Sequence, residues 1–89
     1  MEKPRYRIEY LLEIENYLKK FPRNIRERIK KAIENRLGDF PKDVGKPLTK
    51  EWKDHRRLRV GDFRIIYKVF EERVVVLIVE IDHRKNIYE

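Results

Sequence analysis

The chain has 89 residues, 44% of them charged, and a formal net charge of +7 at pH 7; this length suits one domain, residues 1–89, with a layer of helix on a layer of sheet. The absence of cysteine excludes disulfides, thiolate zinc sites and cysteine nucleophiles. Nothing approaches the roughly 18 continuous apolar residues of a membrane span, and the opening MEKPRYRIEY lacks the apolar centre of a secretion signal, so a cytoplasmic protein with no membrane partner is expected.

Tyr6, Ile8 and Tyr10 alternate with Arg5, Arg7 and Glu9, which predicts a first strand. From Leu11 the period changes: Leu11, Ile14, Leu18 and Phe21 form one apolar stripe on a helix that Pro22 should end. Pro22 also suits the first turn of a second helix, with the stripe Ile25, Ile29, Ala32, Ile33 and Leu37 and the stop signal Gly38. Glu15 with Lys19 and Glu27 with Lys31 supply i,i+4 pairs on the exposed sides of this helical hairpin, worth about 0.2 to 0.5 kcal/mol each. Phe40 to Lys53 contains Pro41, Gly45 and Pro47 and reads as a connecting loop, anchored by Leu48 and Trp52.

His55 to Tyr67 reads as a hairpin with one apolar and one basic face. Gly61-Asp62 is a two-residue turn signal, so Val60 should pair with Phe63. Leu58, Val60, Phe63, Ile65 and Tyr67 then point one way, while Arg59 lies opposite Arg64, Arg57 opposite Ile66 and His55 opposite Lys68. Arg56 falls on the apolar side beside Tyr67. Like charges directly opposite each other in a sheet are destabilising, which implies an anionic ligand between Arg59 and Arg64. Val74 to Val79 is apolar throughout, as in a strand covered on one face and flanked by long side chains on the other, or a central one. The expectation is an α+β fold, a two-helix hairpin on one face of a mostly antiparallel four-stranded sheet in the order β-α-α-β-β-β. The pattern does not say where the first strand joins.

The positive charge calls for a polyanionic partner, and nucleic acid is the commonest for so small a domain. A chain without Ser, Gln or Cys and rich in Glu, Lys and Arg also has the composition of a protein from a hot environment, but that bias raises both signs of charge. From Lys46 to Arg64 there are seven basic residues (Lys46, Lys50, Lys53, Arg56, Arg57, Arg59, Arg64) against three acidic ones (Glu51, Asp54, Asp62). The local excess favours nucleic acid over a merely solvated surface, with Arg59, Lys46, Lys50, Lys53 and Lys68 as phosphate contacts.

The run PLTKEWKDHRRLRVGDFRIIYKV and the closing EIDHRKNIY resemble the RelE branch of the RelE/ParE toxin superfamily, and KKFPRNIRERIKKAIENRL resembles its helical hairpin. The resemblance implies a ribosome-dependent, metal-independent endoribonuclease that cuts mRNA in the ribosomal A site and is silenced by a cognate RelB-like antitoxin, in a toxin-antitoxin complex that is oligomeric. By position, Arg64 matches the family's arginine after the turn aromatic, Arg84 the arginine at the end of the last strand, and Tyr88 the C-terminal tyrosine. His55 and Arg57 stand where the RelE enzymes place two lysines.

Cleavage without metal means that the 2′-hydroxyl attacks its own phosphate in line. One group must stabilise negative charge, one accept the 2′ proton and one protonate the leaving oxygen. Arg64, Arg57, Arg59 and Arg84 suit the first task because guanidinium forks match phosphate oxygens. His55, His83 and Tyr88 are the titratable candidates. Counted from the Glu71-Glu72 turn, His83 shares the basic face. No metal or cofactor is indicated, since the histidines lack spaced carboxylate or thiolate partners. Two readings compete: a ParE-like inhibitor of DNA gyrase that acts by binding, and a nucleic-acid-binding module without catalysis. The basic face together with Tyr88 favours the enzyme.

Overall fold

The structure is a computed structural model and describes residues 5–83. Strand β1 (Arg7–Tyr10) leads into helices α1 (Leu12–Leu18) and α2 (Arg23–Leu37). A one-turn helix α3 (Pro41–Val44), a two-residue strand β2 (Lys46–Pro47) and a 3₁₀ turn (Lys50–Trp52) connect these to the meander β3 (Arg56–Val60), β4 (Phe63–Phe70) and β5 (Val75–His83). The sheet runs β1-β5-β4-β3-β2, with β1 parallel to β5 and every other pairing antiparallel. The expected α+β architecture is therefore present with a fifth strand, because Lys46 and Pro47 pair with Arg57 and Arg56. Among the described residues no helix is long and apolar enough to cross a membrane.

The helices lie where their stripes demand. Ile14 and Leu18 of α1 and Ile29, Ile33 and Leu37 of α2, spaced four residues apart, are buried against Leu58, Ile65, Tyr67, Val76, Ile78 and Ile81 of the sheet. Each such burial contributes about 1.5–3 kcal/mol. Helix α1 ends at Leu18, short of Pro22, as the amides of Lys20 and Phe21 turn back to the carbonyls of Tyr17 and Leu18. Pro22 sits just before α2, not inside its first turn. The expected helical ion pairs are replaced. Glu15 reaches across to Lys30 of α2 at 2.7 Å and Glu27 pairs with Arg23 at 2.8 Å, so one pair ties the two helices together and the other is a solvated pair of small worth. Lys30 also lies over the Tyr10 ring, and the Tyr10 hydroxyl donates to Glu34 at 3.1 Å, joining β1 to α2.

Strand β5 is apolar throughout its first half because it is central, flanked by β1 and β4. Its pairing with β4 contains an irregularity. Tyr67 pairs with Ile78 and Ile66 with Glu80, leaving Val79 without a partner. This bulge reverses the phase of everything after it. Ile81 and His83 turn toward the helices, opposite Ile65 and Phe63, while Glu80 and Asp82 face the other side.

The Phe40–Lys53 segment is a built structure and not a plain loop. Pro41 is fully buried and its carbonyl accepts the Tyr67 hydroxyl at 2.6 Å. Leu48 is only half-buried and Trp52 is exposed, so Pro41 and Gly45 hold the segment in place of the expected anchors. The Gly45 carbonyl accepts the Arg56 guanidinium. A Cβ on Gly45 would collide with the Tyr67 hydroxyl and lie 2.8 Å from the Arg57 carbonyl. Gly45→Ala is expected to cost about 1–3 kcal/mol, the usual range for overpacking, read as a lower Tm, whereas Gly61→Ala should be milder because open space surrounds it and only backbone strain opposes it.

Candidate nucleic-acid interface

The sheet has one face under the helices and one without them, and the hairpin decides what the second face carries. Gly61 adopts a φ of 58° at the first turn position, which closes the two-residue link, and the register follows as Val60↔Phe63, Arg59↔Arg64, Leu58↔Ile65, Arg57↔Ile66 and Arg56↔Tyr67. Since paired residues share a face, Arg57, Arg59, Arg64, Ile66 and Lys68 all point away from the helices. Lys46, paired with Arg57, joins them from β2.

Rows across this face describe its electrostatics. One row reads Arg59, Arg64, Asp82 and the next Lys46, Arg57, Ile66, Glu80. Positive charge is thus concentrated over β2, β3 and β4, and carboxylates begin at β5. Arg64 stands between a like charge and an opposite one, though among the described residues no carboxylate comes within ion-pair distance of it. Beside the edge of β3 lies a cleft of about 550 Å³ lined by Arg36, Lys46, Arg57 and Arg59, with Val44 and Leu58 and no acidic residue. Arg36 enters from the last turn of α2 and donates to the Arg59 carbonyl at 3.2 Å.

Most of the sequence-predicted contacts come together here. Arg57, Arg59, Arg64, Lys46 and Lys68 share the outer face, while Lys50 and Lys53 lie on and just after the 3₁₀ turn that leads into it. His55 precedes β3 by one residue and so is outside the paired ladder, not opposite Lys68 in register, though both line a second cleft of about 520 Å³. The His55 Nδ1 lies 3.2 Å from the Lys53 carbonyl. A carbonyl only accepts, so Nδ1 carries the proton and, in the neutral ring, Nε2 is the free acceptor. His83 does not belong to the basic face. The Val79 bulge places it on the helix side, edge-on to Phe63 with ring centres 5.0 Å apart. Arg84 and Tyr88 lie outside the described residues. Arg56 occupies the Tyr67 side as expected, and burial raises the Tyr67 phenol above its ordinary pKa despite the opposing Arg56 guanidinium. Sequence reasoning missed Arg36, because nothing in the spacing links the end of α2 to the hairpin, and missed Glu80 and Asp82, which only the bulge turns outward.

Comparison with known proteins agrees with this architecture. The family model for the ParE toxin of type II toxin-antitoxin systems matches residues 8–88. The chain therefore belongs to the RelE/ParE superfamily, as a toxin of the type II toxin-antitoxin class. Toxin RelG of Mycobacterium tuberculosis is 30% identical over 86 residues, covering 93% of this chain and 95% of that protein. The toxin from the crystal structure of the toxin-antitoxin complex RelBE2 of the same organism superposes with a TM-score of 0.82 at 27% identity, over 96% of this chain and 98% of that one. The isolated RelE toxin of E. coli shares the fold with a TM-score of 0.67 at 20% identity, over 88% of this chain and 83% of that one.

A face of clustered cations should take up any flexible polyanion. Micromolar heparin at low salt is expected to raise Tm by several degrees, since a ligand that binds only the folded state stabilises it, and about 0.5 M sodium chloride should abolish the gain by screening. A Tm indifferent to heparin would remove the polyanion site.

Proposed function

We propose that the protein is a ribosome-dependent endoribonuclease that cleaves mRNA in the A site without a metal, and that a cognate RelB-like antitoxin holds it silent. The observation that carries this reading is the array of Arg57, Arg59 and Arg64 on one sheet face. Three guanidiniums at fixed spacing suit the developing charge of a phosphoryl transition state, which preorganised cations stabilise without reorganising. The 2′-oxygen attacks the adjacent phosphorus, its proton passes to a base, the bond to the 5′-oxygen breaks, and that oxygen takes up a proton. Products are a 2′,3′-cyclic phosphate and a free 5′-hydroxyl. His55 suits the base, with Nδ1 committed to the Lys53 carbonyl and Nε2 free. The resemblance gives Arg84 a share in charge stabilisation and Tyr88 in proton transfer. His83, facing Phe63, is left without a catalytic part.

Primer extension on translated mRNA in a purified ribosomal system, with and without the protein, tests the activity. Cut 3′ ends bearing a cyclic phosphate or monophosphate fit; 3′-hydroxyl ends with 5′-phosphates would exclude 2′-oxygen attack. Arg64→Ala should slow single-turnover cleavage by about 10² to 10³, the usual cost of one preorganised electrostatic contact. Its Tm should change little, because relief from Arg59 is offset by the loss of Asp82 as a cross-strand neighbour. Arg56→Ala should do the reverse, sparing cleavage and lowering Tm through the lost bond to Gly45 and packing on the Tyr67 side. Equal loss of activity in both variants would refute the assignment of the active face.

The match to the ParE family model favours a second reading, inhibition of DNA gyrase by binding. Gyrase supercoiling assays run beside the ribosomal assay separate the two. The complexes of M. tuberculosis, E. coli and Pyrococcus horikoshii toxins with their antitoxins support the partner. Co-expression with the antitoxin encoded beside this chain should relieve growth arrest and give a co-purifying complex.

A further inference from the structure

The segment from Thr49 to Asp54 takes no part in the proposed cleavage. Trp52 is the only tryptophan in the chain and stays 37% exposed at the end of the 3₁₀ turn, although so large an apolar ring usually gains most from burial. Two non-glycine residues in left-handed backbone bracket it, Lys50 at φ 57° and Asp54 at φ 72°. Such conformations persist only where the surroundings enforce them, and they concentrate at ligand sites. Here a chain of short-range bonds enforces them: Trp52 N–H to the Thr49 carbonyl at 3.1 Å, Lys53 N–H to Lys50 at 3.1 Å and His55 N–H to Trp52 at 2.9 Å. The His55 ring meets the indole in a T-shaped contact at 5.3 Å. The indole is thus both exposed and held.

His55 in turn lines the 520 Å³ cleft, together with Lys53 and Lys68. Of its two carboxylates, Glu71 is already paired to Lys42 at 2.8 Å, leaving Asp54. A rigid aromatic next to a cationic hollow is how sequence-tolerant proteins hold single-stranded nucleic acid, the base on the ring and the phosphate on the charges. The hollow also continues the arginine face. Arg59 and Arg57 follow one another at a two-residue step, about 6.8 Å apart along β3, a step that one extended nucleotide spans, and His55 stands just before that strand.

We propose that Trp52 and this cleft form a nucleotide subsite, in which an RNA base next to the cleavage position stacks on the indole and its phosphate lies between Lys53 and Lys68. The subsite rests on the reading of the basic face as RNA-directed, and it adds the position where the substrate is gripped.

Because Trp52 is the sole tryptophan, emission excited at the red edge of indole absorption, where the five tyrosines do not absorb, reports on this site alone. A 2′-O-methyl hexaribonucleotide, which resists cleavage because its attacking oxygens are capped, is titrated into the wild-type protein at low salt. Anisotropy of the same oligonucleotide carrying a 5′ dye measures total binding. Saturable quenching of Trp52 in step with the anisotropy is expected. Trp52→Ala should weaken the anisotropy-derived affinity about tenfold or more, Trp52→Phe should retain most of it, and thermal melts should show both variants folded. The proposal is overturned if the oligonucleotide binds without changing Trp52 emission, if Trp52→Ala binds it like the wild type, or if it does not bind at all. It also falls if Trp52→Ala spares RNA binding and weakens only the antitoxin complex. Quenching by the oligonucleotide with no cleavage of ribosome-bound message would keep the subsite and refute the ribonuclease.

Discussion

The arginines of the outer face take their direction from the link at Gly61 and Asp62. A Cβ at Gly61 would meet nothing within 4 Å, so the glycine is there for its left-handed backbone and not for lack of space. That backbone sets Val60 against Phe63, and from there the period of two has no freedom left. A slip of one residue would drive Arg57, Arg59 and Arg64 under the helices and expel Leu58, Ile65 and Tyr67. Burying three guanidiniums under the helices is far costlier than any strain in the turn. The core thus enforces the register that aligns the cations, and folding and site are specified by the same alternation.

That alternation also marks what could be read from residues alone. In β3 and the first half of β4, apolar and basic residues interleave, so the faces of Arg56, Arg57, Arg59 and Arg64 were legible. Stripes at four-residue spacing made α1 and α2 legible in the same way. Val74 to Val79 offers no such phase: six apolar residues in a row read the same whichever way they face, so the bulge at Val79 is invisible and the side taken by His83 came out reversed. β2 was hidden for a different reason. It is two residues long and contains a proline, which cannot donate to a ladder and so survives only at a sheet edge, where β2 lies. The partnership of β1 with β5 is a long-range choice that local pattern does not encode.

Surface composition and site chemistry are separable here. Charge of both signs is spread over the helices and the segments that flank them, giving solvated pairs such as Arg23 with Glu27 on α2 and Arg5 with Asp39 beyond its end. The outer face of the sheet is sorted instead, cations over β2 to β4 and Glu80 and Asp82 along β5. A sorted face produces a directed field, attracting a polyanion and confining it to one side. The acidic border thus narrows the track a polyanion can follow, toward the rows that contain Arg59 and Arg57.

The placement of β1 has a consequence for how the molecule comes into being. Its register, Arg7 on Val75 through Tyr10 on Ile78, joins the earliest described strand to the latest. Contacts this far apart in sequence form late, since the intervening chain must first be ordered. On the ribosome, the stripes of α1 and α2 emerge well before β4 and β5 exist to cover them. A nascent toxin therefore spends part of its synthesis with its helices uncovered and its arginine face unbuilt. During that interval its apolar stripes are open to any apolar segment that meets them.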